Sequence, residues 1–289
     1  MSAVTQYLPR RALSRLVGRI AYWQGPRWLV SWVILLFARA YKINLQEAEL
    51  NYWQYPSLGD FFIRRLRPGL RPVGPGEILH PSDSVITQAH PVVQGQLIQA
   101  KGKKYDLNSF LQDPQGADPF VGGVFLTYYL CPTDYHRVHS PVTGEILKIR
   151  HIPGDLWPVN NWSTENISQL FCQNERLVVY IQTPFGVAAV VFVGATNVGS
   201  IALSFDTSIQ TNANDDQKVQ EVVYDPPVSV EKGQELGWFR MGSTAVVVYP
   251  ESLIKSSTAD FKDGSKWWGA AVKVNADLSE VEKNSSTAE

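Results

Sequence analysis

His136 and His139 stand three residues apart in Thr133-Asp-Tyr-His-Arg-Val-His-Ser-Pro141, beside Asp134 and Arg137, and are two of the chain's five histidines. Imidazoles titrate near neutrality, so such a pair is the first candidate for moving protons. On an ideal strand residues i and i+3 face opposite sides, and both rings serve one site only where the strand bends or bulges. As metal ligands the pair lacks a third partner. The two cysteines, Cys131 and Cys172, exclude a cysteine-built metal site and a disulfide scaffold. Asp83 lies in Pro81-Ser-Asp-Ser-Val85, where an Asx-turn ahead of a strand is the plain reading. Ser243 lies in Met241-Gly-Ser-Thr-Ala-Val-Val-Val248. That is not a nucleophile elbow, because Gly-x-Ser-x-Gly is absent and the run after the serine is strand-like. A Ser, a His and an Asp brought together from distant segments would still form a nucleophilic set, which is defined by geometry and not by order. Val193-Gly-Ala-Thr-Asn-Val-Gly-Ser-Ile201 reads as strand, glycine turn, strand. No Lys-Ser/Thr comes after it, so it is not a phosphate loop.

The elements that must position these residues are short and β-rich. Val124–Leu130, Leu177–Ile181, Val187–Val193 and Thr244–Tyr249 are β-branched or aromatic runs bounded by turn residues. Gly233–Phe239 reads as a turn and then a strand. Short helices are expected at Leu107–Leu111 and Gln46–Tyr52. The expected fold is α+β and mainly β: an antiparallel sandwich or partly closed barrel behind an N-terminal basic amphipathic helical region. We divide the chain into a helical leader (1–72), a β-rich catalytic domain (73–274) and an acidic tail (275–289) expected to be disordered.

The leader differs in charge from the body. The net charge of −1 conceals eleven Lys/Arg against three acids in residues 1–72, a local +8, and −9 in the remainder. Leu13, Leu16, Val17, Ile20 and Ala21 recur at helical spacing, with Arg11, Arg15 and Arg19 on another face. Trp28–Ala38 adds eleven uncharged residues, too few to span a bilayer, which takes about twenty. Trp23, Trp28 and Trp32 suit an interface. A buried helix pair would show the same periodicity. A cleaved signal peptide fits poorly, since its charged preamble would be too long. The expected partner is an anionic membrane surface. Nucleic acid is not expected, because the arginines are interleaved with aliphatic residues.

Together these segments resemble the phosphatidylserine decarboxylase proenzyme family, bacterial membrane-associated branch. Asp134–Pro141 matches its Asp-Tyr-His-Arg-x-His-x-Pro signature, and Pro153–Leu156 and Val193–Ile201 match two further stretches. Met241-Gly-Ser-Thr244 matches the Leu-Gly-Ser-Thr cleavage motif with Met for Leu, and Asp83 sits in a Pro-x-Asp-Gly turn whose glycine is Ser84 here. The resemblance runs from about residue 10 to about 255, in family order. It implies a cofactor made from the backbone, a covalent pyruvoyl group at Ser243. The hydroxyl of Ser243 attacks the Gly242 carbonyl, elimination separates a large and a small chain, and hydrolysis with loss of ammonia leaves the pyruvoyl. It implies a self-cleavage triad of Asp83, His139 and Ser243, with His136 as proton donor in decarboxylation. The implied reaction takes phosphatidylserine to phosphatidylethanolamine and CO2 through a Schiff base, at the inner cell membrane, peripherally on the cytoplasmic face. Leu156-Trp-Pro-Val159 is a further expected apolar contact near the lipid. A homo-oligomer is left open. The competing reading is a non-catalytic membrane-peripheral β module or a histidine phosphocarrier.

Overall fold

Strands whose residues are apolar on both sides must be covered on both faces, and Thr244-Ala-Val-Val-Val-Tyr249 is such a run. A computed structural model describes residues 10–100, 103–196, 200–209, 211–212, 218–240, 243–257, 259, 261 and 267–281. The strands are β1 (Ser84–Pro91), β2 (Gln96–Ala100), β3 (Lys103–Asp106), β4 (Val124–Leu130), β5 (Arg137–His139), β6 (Gly144–Ile152) and β7 (Arg176–Thr183). They continue as β8 (Gly186–Val193), β9 (Ile201–Leu203), β10 (Gln220–Val230), β11 (Glu235–Phe239), β12 (Ser243–Tyr249) and β13 (Ala271–Val272). Eight form one antiparallel sheet in the order β10-β6-β7-β8-β12-β4-β1-β13, and β5-β11-β9 form a second of three.

The period-2 alternation of side chains places β12 in two cores at once. Ala245, Val247 and Tyr249 face the cluster that includes Val138, Leu236 and Phe239 of the small sheet. Val246 and Val248 face the opposite cluster, built with Leu97, Tyr105, Phe110 and Leu111. The large sheet is thus the middle layer, with the small sheet on one face and the β2–β3 ribbon with a helix at Leu107–Leu111 on the other. This is the expected α+β, sandwich-like architecture.

The leader forms α1 (Arg10–Ala21), α2 (Arg27–Ala40) and α3 (Leu58–Phe62). The side chain of Ser57 caps α3 by accepting the Asp60 N–H at 3.1 Å. α2 is apolar nearly all round. Val30, Ile34 and Ala38 pack on Tyr55 and Phe61 in a third small cluster. Trp28, Trp32 and Leu36, spaced i, i+4, i+8 on another face, are exposed at 68%, 56% and 58%. Leu13, Leu16 and Ile20 of α1 are exposed as well, while Ser14 and Ala21 pack inward. A buried helix pair is therefore not what the periodicity encodes. Among the described residues no helix is long and apolar enough to cross a membrane.

Two local expectations need correction. Gln46–Tyr52 is not a helix: Leu45–Glu47 and Tyr52–Gln54 are separate 3-10 turns. The Glu49 N–H donates to the Arg65 carbonyl and the Glu47 carbonyl accepts from the Arg67 N–H, so pairing with a later segment of the chain replaces helical bonding. The tail packs as far as it is described. Leu278 is buried and its N–H donates to the Ile78 carbonyl; residues 282–289 lie outside the described residues.

Candidate active site

Strand register locates the Gly242–Ser243 bond. On β12, Ser243 pairs with Leu130 and Thr244 with Val193. On β11, Phe239 pairs with Ile201. The stretch between Phe239 and Thr244 therefore connects the small sheet to the large one, and Gly194–Ser200 makes the same crossing in reverse. The Arg240 N–H donates to the Ser200 carbonyl at 2.9 Å. Met241, Gly242 and 197–199 lie outside the described residues, and only the backbone of Ser243 is described.

His136 sits at this crossing. The Phe239 N–H donates to its carbonyl, and its own Nε2 donates to the Cys131 carbonyl at 3.0 Å. Cys131 comes directly after Leu130, the residue opposite Ser243. The imidazole is fully buried, with the Phe62 ring stacked on it at 3.9 Å and 25°. Burial, aided by the nearby Arg64 charge, pushes its pKa down to about 3, against the pull of the Cys131 carbonyl. The ring is thus neutral near pH 7, and with Nε2 donating, Nδ1 is a buried acceptor without a partner among the described residues.

His139 lies further along, on β5. The β5–β11 ladder shifts register between Glu235 and Gly237, opposite His139 and Val138. The extra residue of that shift, Leu236, is on β11, and His136 precedes β5, so this bulge does not itself turn the two rings to one side. Nδ1 lies 2.7 Å from the Gly233 carbonyl and Nε2 lies 3.0 Å from the Tyr135 hydroxyl. A carbonyl only accepts, so Nδ1 carries the proton and the Tyr135 O–H donates to Nε2. Burial lowers the pKa of His139, while the Gly233 carbonyl and the charges of Glu235 and Asp83 pull it back.

Asp83 does not make the expected hydrogen bond to His139, both of whose ring nitrogens are engaged elsewhere. Its Oδ2 takes Arg71 Nη2 at 2.6 Å, and its Oδ1 accepts the Val274 N–H at 2.9 Å. Arg71 also reaches Glu47 at 2.9 Å. The Asp83 turn is nonetheless tied to His139 through the backbone, because the His139 N–H donates to the Pro81 carbonyl at 2.8 Å. Ser84, in place of the family glycine, does not have a positive φ. It opens β1 with its hydroxyl on the Ser82 carbonyl, so no left-handed residue is needed there.

Asp134 and Arg137 hold the frame. Asp134 accepts the Cys131 N–H at 2.8 Å, and Arg137 bridges Glu235 at 2.7 Å and the Ile63 carbonyl at 2.8 Å. Buried Arg64 donates to the Thr133 and Asp134 carbonyls. In the Leu156–Val159 segment Leu156 and Val159 are buried, while Trp157 and Pro158 are half-buried. A Cβ on Gly194 would come within 3.1 Å of the Leu156 side chain. Sequence reasoning missed Phe62, Arg71, Tyr135 and Gly233. Of these only Tyr135 had a visible signal, lying between Asp134 and His136. Among the described residues no group of three or more His, Cys, Asp or Glu is placed to hold a metal.

Comparison with known proteins bears on the same residues. The family model for phosphatidylserine decarboxylase matches residues 58–275, and a second model, described as PSD, matches residues 2–42. A phosphatidylserine decarboxylase proenzyme from Anaeromyxobacter sp. (strain K) is 43% identical over 84% of this chain and 86% of its own length. The proenzymes of Myxococcus xanthus and Saccharophagus degradans are 42% and 40% identical, covering 84% and 88% of this chain and 87% and 89% of their own.

Proposed function

The chain belongs to the phosphatidylserine decarboxylase proenzyme family, and from that premise we propose that it cleaves itself between Gly242 and Ser243 and then decarboxylates phosphatidylserine to phosphatidylethanolamine. The observation that carries this reading is the register that sets the Ser243 backbone opposite Leu130, one residue from the carbonyl that holds His136.

In maturation His139 is the base. Its Nε2 lone pair accepts the proton of the Ser243 hydroxyl, directly or through the Tyr135 O–H, as the serine attacks the Gly242 carbonyl. The Gly233 carbonyl fixes the tautomer, a part Asp83 was expected to play. Asp83 contributes charge instead: it favours the imidazolium that forms, and its pairing with Arg71 holds the turn in place.

A pyruvoyl group at Ser243 supplies an electron-withdrawing carbonyl that takes up the substrate amine and accepts charge as CO2 leaves. The residues present fit such a group, since a buried imidazole with one nitrogen unpartnered among the described residues lies beside the strand end where it would arise. His136 acts as the proton donor to the substrate carbon, a proton entering at Nδ1 as the one on Nε2 leaves, so that the ring passes from one neutral tautomer to the other. Residues 1–72 act as the membrane leader. The exposed faces of α1 and α2 enter the headgroup layer, with Arg15 and Arg19 toward anionic lipid, on the cytoplasmic face of the inner membrane.

The test is a gel of purified wild type beside Ser243→Ala. Wild type is expected as two chains, 1–242 and 243–289, and active. Ser243→Ala is expected as one inactive chain. An active wild type that stays in one piece would refute the reading.

A further inference from the structure

A cavity of 560 Å³ opens beside His139, within the range of small-molecule sites, and Arg65, Arg67, Arg71, Tyr135 and Glu235 are among its walls. Its charges are unevenly committed. Arg71 is paired with Asp83 and Glu47, and Glu235 with Arg137. Arg67 donates only its Nε, to the Ala48 carbonyl. Arg65 has no side-chain hydrogen bond or ion pair among the described residues, and its charge acts on the Tyr135 hydroxyl that bonds His139. One guanidinium without a hydrogen bond or ion pair and one engaged only through its Nε, among the described residues, thus flank a cavity that reaches a site residue.

We propose that this cavity is the subsite for the substrate's phosphodiester, anchored by Arg65 and Arg67; the inference rests on the decarboxylase reading above. The headgroup offers two anions, and the reaction separates them. A guanidinium on the carboxylate that departs as CO2 would stabilise the ground state more than the transition state, because that charge leaves the carboxylate as the bond breaks. The phosphodiester keeps its charge throughout. Anchoring it holds the amine in place without raising the barrier. The planar fork of arginine matches two phosphate oxygens at once.

The experiment uses mature enzyme and a short-chain phosphatidylserine dissolved as monomers, so that attraction to a charged bilayer plays no part. Arg65→Gln with Arg67→Gln is expected to raise KM by about 10- to 100-fold, with the loss concentrated in KM and not in kcat. Inhibition by sn-glycerol 3-phosphate should weaken by a similar factor, while inhibition by free serine should not. Arg65→Lys with Arg67→Lys should recover part of the loss. Arg65→Gln alone, which removes no protein contact among the described residues, should show a smaller rise of the same kind. An unchanged KM would overturn the inference, as would selective loss of serine inhibition, which would assign the cations to the carboxylate. These outcomes presuppose an active wild type; one that neither cleaves nor decarboxylates would instead overturn the family reading and this inference with it.

Discussion

The leader is two regions with opposite fates. Residues 10–40 turn Leu13, Leu16, Ile20, Trp28, Trp32 and Leu36 toward solvent. Residues 58–71 turn Phe62, Arg64 and Arg71 into the catalytic frame, on His136, on the Thr133 and Asp134 carbonyls, and on Asp83. The first stretch is apolar on faces that nothing among the described residues covers. The second is charged and aromatic, with Phe61, Phe62 and Arg64 buried. Composition alone joined the two under one basic leader. The structure separates them by what they touch: the outer part leaves an apolar face exposed, which we propose meets the membrane surface, and the inner part packs against the proposed site residues.

The comparison breaks most sharply at the histidines that the inner region supports. His139→Ala is expected to accumulate uncleaved chain, and Asp83→Ala to do so less completely, as read on a gel. His136→Ala should cleave yet release CO2 more slowly by about 10² to 10⁴. The reverse pattern would exchange their roles. Phe62→Ala comes next. It removes a buried ring from the face of His136, with an expected loss of about 3–5 kcal/mol in urea unfolding. Water admitted beside the imidazole should raise its pKa from about 3 toward its ordinary value, which NMR titration would read.

Acid provides a smaller and graded test. His80, His136 and His139 all have folded pKa values below the unfolded value, His80 at about 4 and His136 at about 3, chiefly through burial. The unfolded chain therefore binds more protons, so stability is present above pH 6.5 and falls as pH drops toward the folded values. Each fully depressed histidine contributes about 1.4 kcal/mol per pH unit in that window. In the uncleaved Ser243→Ala background, His136→Gln should reduce the slope. The outer region should give the least change of all in stability. Trp28→Ser, Trp32→Ser and Leu36→Ser together should shift unfolding by only about 0.5 kcal/mol per site, yet weaken partitioning onto anionic vesicles. A large loss of stability there would mean that this face is packed and not presented.

Legibility in the sequence tracks what is local. The runs of β4, β7, β8 and β12 announce strands because a sheet covered on both faces makes each a continuous β-branched or aromatic run bounded by turn residues. Partners set by tertiary contact left no such trace. Nothing in the spacing says that Arg71 takes Asp83 or that the Gly233 carbonyl takes His139. The Gln46–Tyr52 helix failed for the same reason, since its backbone is claimed by Arg65 and Arg67 from another segment. Exposure of the α1 stripe was equally invisible, because a helix that buries its apolar face and one that offers it to lipid have the same periodicity.

The central claim is that Ser243 becomes the pyruvoyl end of a new chain, and intact-mass spectrometry of the purified protein tests it most directly. The account predicts a small chain of residues 243–289 lighter by about 17 Da than its sequence requires, the mass of the ammonia lost when a serine terminus becomes a ketone. Reduction with borohydride in the presence of phosphatidylserine should add the lipid to that chain alone. A small chain with the full mass of a serine terminus, in a preparation that still releases CO2, would contradict it.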